Sequence, residues 1–445
     1  MKFEEMKALI FAEAQKKGLS EYDLYRRTAT ELGADTMKHE LNSCTFGESG
    51  GVTFRCAVNG HIGAASTEST EKEELLALID RAVANAAVID SAEKPVFFDG
   101  FTGANYGKTT AKTLPLPTSG ELRRTVMELQ EKIYAENPLV TDGTSAGAGA
   151  TEVSVSLANS KGLDLSHTAT TRYTYAQAVL KDGEESAEGF ALYAGDNVRD
   201  IAAEAVKEAL GKLRPGTVPT GKYDAVFKAS VVRDILSTFS GVFNGKNALH
   251  GLSLLRGKEG EKIAAGCVTI ADDPFYPAHA MQMPFDAEGV AAFEKKIVEA
   301  GVLKTLLYDL TTAAQTGNTS TGNAVRGSYA EPVSIAPSCL MLLPGKETFE
   351  ELFRRMGDGL YITEMKGFHA GASAVTGDFS IESAGFLVKN GEIAAPVHSF
   401  TVAGNFFDFL KAVDGVSSTA EPGFPGRSMI VAPEILVCGL SVAGD

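Results

Sequence analysis

The segment 214–221 constrains the fold of this chain more than any other stretch, because it reads Arg-Pro-Gly-Thr-Val-Pro-Thr-Gly. Two prolines and two glycines in eight residues stop a helix and rarely lie inside a core. A chain of 445 residues also exceeds what one hydrophobic core normally organises. We therefore predict two domains, residues 1–213 and 222–445, joined by a linker at 214–221.

The N-terminal half begins with a helix, strands and a second helix. Apolar residues recur at helical spacing over residues 3–17, and the period drops to two over 22–67, which predicts alternating strands. Thr70 and Glu73 have the spacing of a capping box in front of the second helix.

The same order of patterns then repeats. Thr118 and Glu121 have the capping-box spacing before a third helix, and strands are predicted at 151–159 and 168–181. A helix over 196–213 completes this second round. Two rounds of strands packed with helices predict an α+β domain with a mixed sheet.

The C-terminal half is predicted to be rich in β-strands. It opens with a helix over 228–243, which we expect Asn244-Gly245 to end. Beyond this point the pattern is mostly strand and turn, and helices are predicted only at 347–356 and 405–413. The fold class is therefore α+β, with a mixed N-terminal sheet and a β-rich C-terminal domain.

Charge and hydropathy exclude two classes of partner. The formal net charge is −16, and no cluster of Lys and Arg supplies the cationic face that direct nucleic-acid contact requires. No window approaches the roughly 18 uncharged apolar residues of a membrane helix. We expect neither nucleic acid nor membrane as a direct partner.

Five scattered cysteines, with no CxxC pair, argue against a disulfide framework. They are Cys44, Cys56, Cys267, Cys339 and Cys438. The N-terminal residues are acidic and turn into an amphipathic helix, which is not the pattern of a signal peptide. Both observations favour a reducing cytoplasm.

Three runs rich in small residues lie in the C-terminal half, at 311–323, 368–380 and 399–405. In this order and at these spacings they resemble the C-terminal half of the TldD/PmbA family, and more closely its PmbA/TldE branch. Members of that family were named modulators of DNA gyrase and later linked to metal-dependent peptide cleavage. The resemblance covers most of the chain.

The metal motif of the TldD branch is absent here. In that branch a helix opening the C-terminal domain carries His-Glu-x-x-x-His, whose imidazoles hold a metal with a distant cysteine and whose glutamate is the base. The corresponding segment here, 231–243, has no histidine, and the closest two of the seven histidines are 22 positions apart. We expect no catalytic residue, metal ligand or cofactor in this chain. A site assembled from His369, His398 and Cys438 is an alternative that spacing leaves open.

Four residues of the first run are candidates for contact with a substrate or a partner chain: Thr319, Ser320, Thr321 and Asn323. The run could also cradle a phosphate, but it lacks the P-loop order and no lysine follows. We expect its hydroxyls and amides to pair with an extended peptide without demanding a sequence.

Three further residues are weaker candidates. The guanidinium of Arg326 could hold a substrate carboxylate or an acidic partner surface, or it could be solvated at the surface. His369 and Asp378 flank the turn at 371–377 and could line a cleft. They could equally form a polar loop pair satisfied by water or backbone.

The resemblance implies a PmbA/TldE-type subunit of a cytoplasmic heteromeric peptidase acting on unfolded peptides. The metal would lie in a TldD-type partner, and this chain, catalytically silent alone, would supply an interface and one wall of the substrate chamber. It could also form a homodimer when isolated. Two alternatives remain: a non-enzymatic adaptor acting on DNA gyrase or a toxin system, and a stand-alone hydrolase with a metal held by dispersed residues.

Overall fold

A computed structural model describes residues 1–89, 94, 96–103, 105–194 and 200–445. None of the helices in this described part of the chain combines the length and apolar character that crossing a membrane requires. The elements fall into two groups, one before residue 213 and one after residue 220.

The N-terminal domain is built from two rounds of helix, three strands and helix. The first round is α1 (Phe3–Lys16), β1 (Tyr22–Met37), β2 (Glu40–Val58), β3 (His61–Thr67) and α2 (Lys72–Val88). The second is α3 (Ser119–Glu136), β4 (Ser145–Asn159), β5 (Asp164–Asp182), β6 (Glu185–Ala194) and α4 (Ile201–Lys212). The six strands form one antiparallel sheet in the order β3-β2-β1-β4-β5-β6, so the two rounds meet at β1 and β4.

The helices cover one face of this sheet. Helices α1 and α2 pack on the first round, where Met6, Ile10 and Leu78 are fully buried against the strands. Helices α3 and α4 pack on the second, around Val126 and Ala205. The alternation of apolar and polar residues along each strand puts the remaining side chains on the opposite face, where the C-terminal domain docks.

The C-terminal domain contains a ten-stranded mixed sheet and short helices. In chain order its elements are β7 (Gly221–Phe227), α5 (Ala229–Phe239), α6 (Gly245–Leu249), β8 (Ile270–Asp272), β9 (Lys295–Glu299), β10 (Val302–Leu303), α7 (Leu310–Thr316), β11 (Ala324–Val325), β12 (Ser334–Ile335), β13 (Cys339–Leu342), α8 (Phe349–Met356), β14 (Gly359–Lys366), α9 (Phe368–Gly371), β15 (Asp378–Lys389), β16 (Glu392–Asn405), α10 (Phe406–Lys411), β17 (Val413–Pro422) and β18 (Met429–Ala443).

Strand β7 closes part of this sheet into a ring. It pairs in parallel with β14 and antiparallel with β18, so that β18, β16, β15, β14 and β7 follow one another without an open edge. Helix α5 leaves β7 directly and buries its apolar side against the ring. There the aromatic side chains of Phe239 and Phe406 stack, with 4.5 Å between their centroids.

The predicted α+β class, with a mixed N-terminal sheet and a β-rich C-terminal domain, is confirmed. The capping box of Thr118 and Glu121 is present at the start of α3. The box predicted at Thr70 and Glu73 is wrong, because α2 begins at Lys72 without a side-chain cap. There the N–H of residue 71 donates to the hydroxyl of Ser69, so the chain turns into the helix later than predicted.

Two other boundaries differ from the sequence expectation, and a third is not tested. Asn244 does not only end a helix: its side chain accepts from the N–H groups of Lys246 and Asn247 and so begins α6. The segment 214–221 is not wholly outside the core, because Val218 is fully buried and Gly216 bonds β16. The predicted helix start at Asp196 lies outside the described residues.

Candidate functional site

A cleft of about 1090 Å³ lies between the two domains. The N-terminal domain contributes β5, β6 and α4, and the C-terminal domain contributes α5, β14 and the loop after β17. Segments 110–114 and 277–280 complete the walls. The cleft therefore exists only because both domains are present, and α5 is the helix that faces it from the C-terminal side.

Helix α5 presents polar side chains to the cleft and apolar ones to the core. Val232, Ile235 and Phe239 are buried, whereas Arg233 and Asp234 line the cleft. Arg233 donates to the backbone carbonyl of residue 421, 3.2 Å away, and so ties the helix to the end of β17. Partial burial raises the pKa of the Asp234 carboxyl, an effect that the neighbouring arginine opposes.

Lysine–glutamate pairs join the two domains at the cleft wall. Glu208 of α4 lies 3.0 Å from the Nζ of Lys228, which precedes α5, and 2.9 Å from that of Lys212. Lys212 also reaches Glu364 of β14 at 3.5 Å. Burial alone would raise the pKa of Glu208, but the two lysines outweigh it and lower the pKa. These pairs fix the spacing between α4 and α5.

A group of aromatic side chains also borders the cleft. Phe190 of β6 and Phe424 line the cleft, and about half of each side chain is exposed. The ring of Phe424 lies 4.5 Å from that of Tyr173, and Phe190 stacks on Tyr175 at 5.7 Å. Sequence reasoning did not find this group, because the four rings come from three segments with no common motif.

The donor set around α5 does not fit a catalytic metal. Its cleft face offers a hydroxyl, a guanidinium and one carboxylate, and a stable zinc site needs at least three nitrogen, sulfur or oxygen ligands from the protein. Across the described residues no three His, Cys, Asp or Glu side chains converge as ligands. His369, His398 and Cys438, the dispersed set considered above, are not brought together.

The small-residue run 317–323 folds inward and not towards the cleft. The hydroxyl of Ser320 donates to the carbonyl of Tyr308, and the hydroxyl of Thr321 accepts from the N–H of the same residue at 2.8 Å. Both side chains are buried, whereas Thr319 is exposed. Two of the predicted contact hydroxyls therefore bond their own domain, and the contact with a peptide stays a prediction.

Asn323 belongs to a buried polar cluster. Its amide nitrogen donates to Asp272 at 2.7 Å and to the carbonyl of Ala336, and Lys295 reaches the same carboxylate at 3.1 Å. Asn323 is 1% exposed. Its role in this structure is to tie the run to β8 and β9, which the sequence did not indicate.

Arg326 lies between the domains. Its side chain is 2% exposed, and its guanidinium lies 4.7 Å from the ring centroid of Tyr25, a residue of β1. The expectation that it could be solvated at the surface is therefore wrong, because the N-terminal sheet covers it.

His369 and Asp378 lie apart from the cleft. Both are exposed, one on α9 and the other at the start of β15, and neither lines the cleft walls. The carboxylate of Asp378 accepts from the amide of Asn405 at 2.9 Å, and this bond lowers its pKa. The structure does not pair Asp378 with His369, and contact of either residue with a substrate or partner chain stays a prediction.

A buried ion network also joins the domains. Arg55 of β2 pairs with Asp23 of β1 and lies 3.8 Å from Glu288 of the C-terminal domain. Burial raises the pKa of Glu288, and the charge of Asp286 adds to this effect against that of Arg55. The network fixes how the domains dock, and no sequence motif indicated these ion pairs.

Family models of PmbA/TldA metallopeptidases match three parts of the chain. Domain 1 matches residues 22–86, the central domain matches 113–213, and the C-terminal domain matches 220–444. Among solved structures, a Thermotoga maritima protein named as a modulator of a DNA gyrase is 29% identical, with a TM-score of 0.90 over 99% of this chain and 100% of that one. TldE from Thermococcus kodakarensis, 21% identical over 99% and 100% of the chains, shares the fold with a TM-score of 0.87.

Similar proteins of known sequence carry metalloprotease names. The Escherichia coli O157:H7 Metalloprotease PmbA is 30% identical over 55% of this chain and 51% of its own length. A Metalloprotease from Methanothermobacter thermautotrophicus is 33% identical over 54% and 53%. These two matches thus span about half of each relative, whereas the Haemophilus influenzae PmbA homologue is 26% identical over 93% and 90%. The fold, the three matched domains and these relatives show that the chain belongs to the PmbA/TldD metallopeptidase family.

Proposed function

We propose that this chain is the PmbA/TldE-type subunit of a cytoplasmic heteromeric peptidase that acts on unfolded peptides. A separate TldD-type chain carries the metal, the activated water and the general base. This chain contributes an interface and one wall of the substrate chamber. All five cysteines are free thiols, which agrees with a reducing compartment.

The observation that carries the proposal is the cleft face of α5. The helix keeps its apolar packing and its position against a large interdomain cleft, yet offers Arg233 and Asp234 where a metallopeptidase needs ligands. A peptidase needs an activated water, and activation by a metal requires ligands to hold that metal. A retained chamber without ligands supports the role of a partner subunit.

An exposed β-ribbon supports the existence of a partner chain. Six consecutive residues of β2, 44–49, are exposed, so both faces of the strand meet solvent there. Strand β3 pairs only with residues 52–58, and the outer edge of 40–51 has no partner strand in the described chain. Phe46 is 60% exposed on this ribbon. An unpaired strand edge that carries an exposed aromatic side chain can serve as a site for association.

Activity confined to the pair would support the proposal. The chain and a TldD-type subunit are purified singly and after co-expression, and each preparation is assayed for cleavage of an unfolded peptide and for bound zinc. We expect cleavage by the pair, and no zinc or cleavage with this chain alone. Stoichiometric zinc and peptide digestion by this chain alone would show that it is an autonomous hydrolase.

The carboxylate of Asp234 gives a second test of whether this chain is catalytically silent. It is the one acidic group on the cleft face of α5, so Asp234→Asn removes the only base that this helix could supply. We expect turnover by the pair to persist in this variant. The matched control replaces the glutamate of the partner's His-Glu-x-x-x-His with glutamine, which should abolish turnover. Loss of turnover in Asp234→Asn would assign the base to this chain.

The ribbon gives a test of the interface. Phe46→Asp places a charge at the exposed edge, and we expect it to reduce co-purification with the TldD-type chain while the isolated chain stays folded. Leu252→Asp is the control, because Leu252 is 49% exposed in another part of the molecule, on the C-terminal domain. Equal co-purification of wild type and Phe46→Asp with the TldD-type chain would show that the interface lies elsewhere.

A further inference from the structure

We propose that a small cavity between the domains binds a small aliphatic carboxylate through three arginines. The cavity has a volume of about 80 Å³. It is lined by Arg27 of β1, by Arg326 at the end of β11, and by Arg427 of the loop between β17 and β18. The site belongs to this chain alone and does not depend on any partner subunit.

The guanidinium of Arg326 lacks an anionic partner. It is 2% exposed, and among the described residues it makes no hydrogen bond and has no carboxylate within 4.0 Å. Its Nε and that of Arg27 are both buried without a hydrogen-bond partner. Uncompensated buried charge is costly, so buried guanidinium groups are normally paired. The contact with the face of the Tyr25 ring supplies only part of that compensation.

A third arginine, Arg427, lines the same cavity. Arg427 donates to the backbone carbonyl of residue 326, which leaves the rest of its guanidinium available to the cavity. Burial, together with the charge of Arg55, lowers the pKa of Arg326 to about 10. Burial also lowers the pKa of Arg427. A bound anion would relieve both effects, because it stabilises the protonated guanidinium groups.

The nearby carboxylates do not fill this role. Asp286 lines the same cavity, but its Oδ1 accepts from the N–H groups of Glu288 and Val290, and its Oδ2 accepts from that of Ala324. Asp23 is held by Arg55. The hydrogen bonds of Asp286 thus go to backbone N–H groups and those of Asp23 to Arg55, and neither carboxylate pairs with the three arginines of the cavity.

The size and walls of the cavity indicate the class of ligand. Besides the arginines, Val153, Val155 and Phe285 line it, so one part is apolar and the other cationic. A planar guanidinium matches a carboxylate in a bidentate arrangement. A volume of about 80 Å³ excludes nucleotides and accepts a short branched carboxylate. Residues 277–280 and 422–424 line the cleft, and Met281, Met283 and Arg427, which follow them in the chain, line this cavity.

Isovalerate is the probe, because it joins a carboxylate to a branched apolar group. Its binding to the full-length chain is measured by titration calorimetry and by the shift in melting temperature, in a buffer free of other carboxylates. Isovaleramide is the neutral control of the same shape, and inorganic phosphate tests for a tetrahedral anion. We expect saturable one-to-one binding of isovalerate and none of isovaleramide.

Arginine variants assign the site. Arg326→Met and Arg427→Met should each weaken isovalerate binding by about tenfold or more, since each removes a charge-assisted hydrogen bond. Arg256→Met is the control, because Arg256 is exposed and makes no side-chain bond in the described chain, and it should bind like wild type. Without ligand, Arg326→Met should melt no lower than wild type, because it removes an uncompensated charge.

Several results would overturn the proposal. These are the absence of saturable isovalerate binding to wild type, equal binding of isovaleramide, or undiminished binding by the arginine variants. Binding of phosphate alone would overturn the carboxylate class. Should Arg326→Met fail to fold, isovalerate binding by Arg427→Met tests the proposal instead. The side chain of Arg427 is only half-buried, so its replacement is expected to leave the fold intact.

Discussion

Gly189 allows β6 to lie directly on α4. A Cβ built at this position would lie 2.6 Å from the amide nitrogen of Ala209 and closer still to the carbonyl oxygen of Ala205. Gly63 has the same relation to α2, with its Cβ 2.6 Å from the amide nitrogen of Ala86. The third strand of each round thus approaches its helix at a glycine. We predict that Gly189→Ala destabilises the N-terminal domain.

The size of the effect follows from the atoms that the methyl group would meet. They are helix backbone, which cannot rotate away like a side chain, so α4 must move by about 1 Å to restore normal contact distances. Overpacking of this kind costs about 1–3 kcal/mol. The reduced entropy of the unfolded alanine chain offsets about 0.4–1 kcal/mol of it. We therefore expect Gly189→Ala to lower the free energy of unfolding by about 1–2 kcal/mol.

Urea denaturation followed by far-UV circular dichroism measures this change, since the chain has no tryptophan to serve as a fluorescent probe. Gly63→Ala should behave like Gly189→Ala, because the contact is the same. Gly47→Ala is the matched control: it also lies in a strand, but nothing lies within 4 Å of its Cβ position. Stability of Gly189→Ala equal to that of Gly47→Ala would refute the close approach of strand and helix.

Three further outcomes are expected. Arg55→Met leaves the buried carboxylate of Asp23 unpaired and should lower the free energy of unfolding by about 3–5 kcal/mol, measured in urea. Burial lowers the pKa of His279 to about 4, so the unfolded chain binds a proton at higher pH than the folded chain does. As the pH falls from about 6.5 to 4, the free energy of unfolding should therefore decrease, by at most about 3 kcal/mol. His279→Gln should flatten that pH dependence. Thr321→Val should lower the free energy of unfolding by about 1–2 kcal/mol, because Thr321 bonds the backbone of Tyr308. Thr319→Phe should affect only peptide turnover by the pair, and a loss of stability in this variant would contradict the exposed position of Thr319.

Local patterns predicted the elements well, because the interactions that begin and end them are local. The Thr118–Glu121 box joins residues three positions apart, and α5 with its 3₁₀ extension matches the predicted helix at 228–243. The closure of the ring did not follow from the sequence, since β7 and β18 lie some two hundred positions apart. Strand partners at such separations depend on tertiary packing, which one sequence does not reveal.

The candidate contact residues illustrate the same limit at the level of side chains. A run of small hydroxyl and amide residues indicates close backbone approach, but not whether the approach is to a ligand or to the chain itself. Ser320 and Thr321 bond Tyr308, so for them the partner is internal. Arg326 lies over the ring of Tyr25 in β1, three hundred residues earlier, so its burial could not be inferred from its neighbours in the sequence.

The cleft lies where the two domains meet beside the second half of the N-terminal sheet. The two halves of this sheet are built alike, but the C-terminal domain contacts them through different groups. In the first half, the ring of Tyr329 lies where a Cβ on Gly51 would be 2.6 Å away, and Arg55 reaches Glu288. In the second half, Tyr173 of β5 contacts Phe424 and Glu208 of α4 pairs with Lys228, and Phe424, Glu208 and Lys228 line the cleft.

The walls of this cleft therefore do not depend on a metal. Its width is set by the pairs of Lys228 and Lys212 with Glu208 and Glu364, and its floor by the packing of α5 on the ring of strands. Substitutions on the cleft face of α5 should leave the cleft intact, because none of these contacts involves that face. The proposed role of a partner subunit requires this shape and no metal ligands of its own.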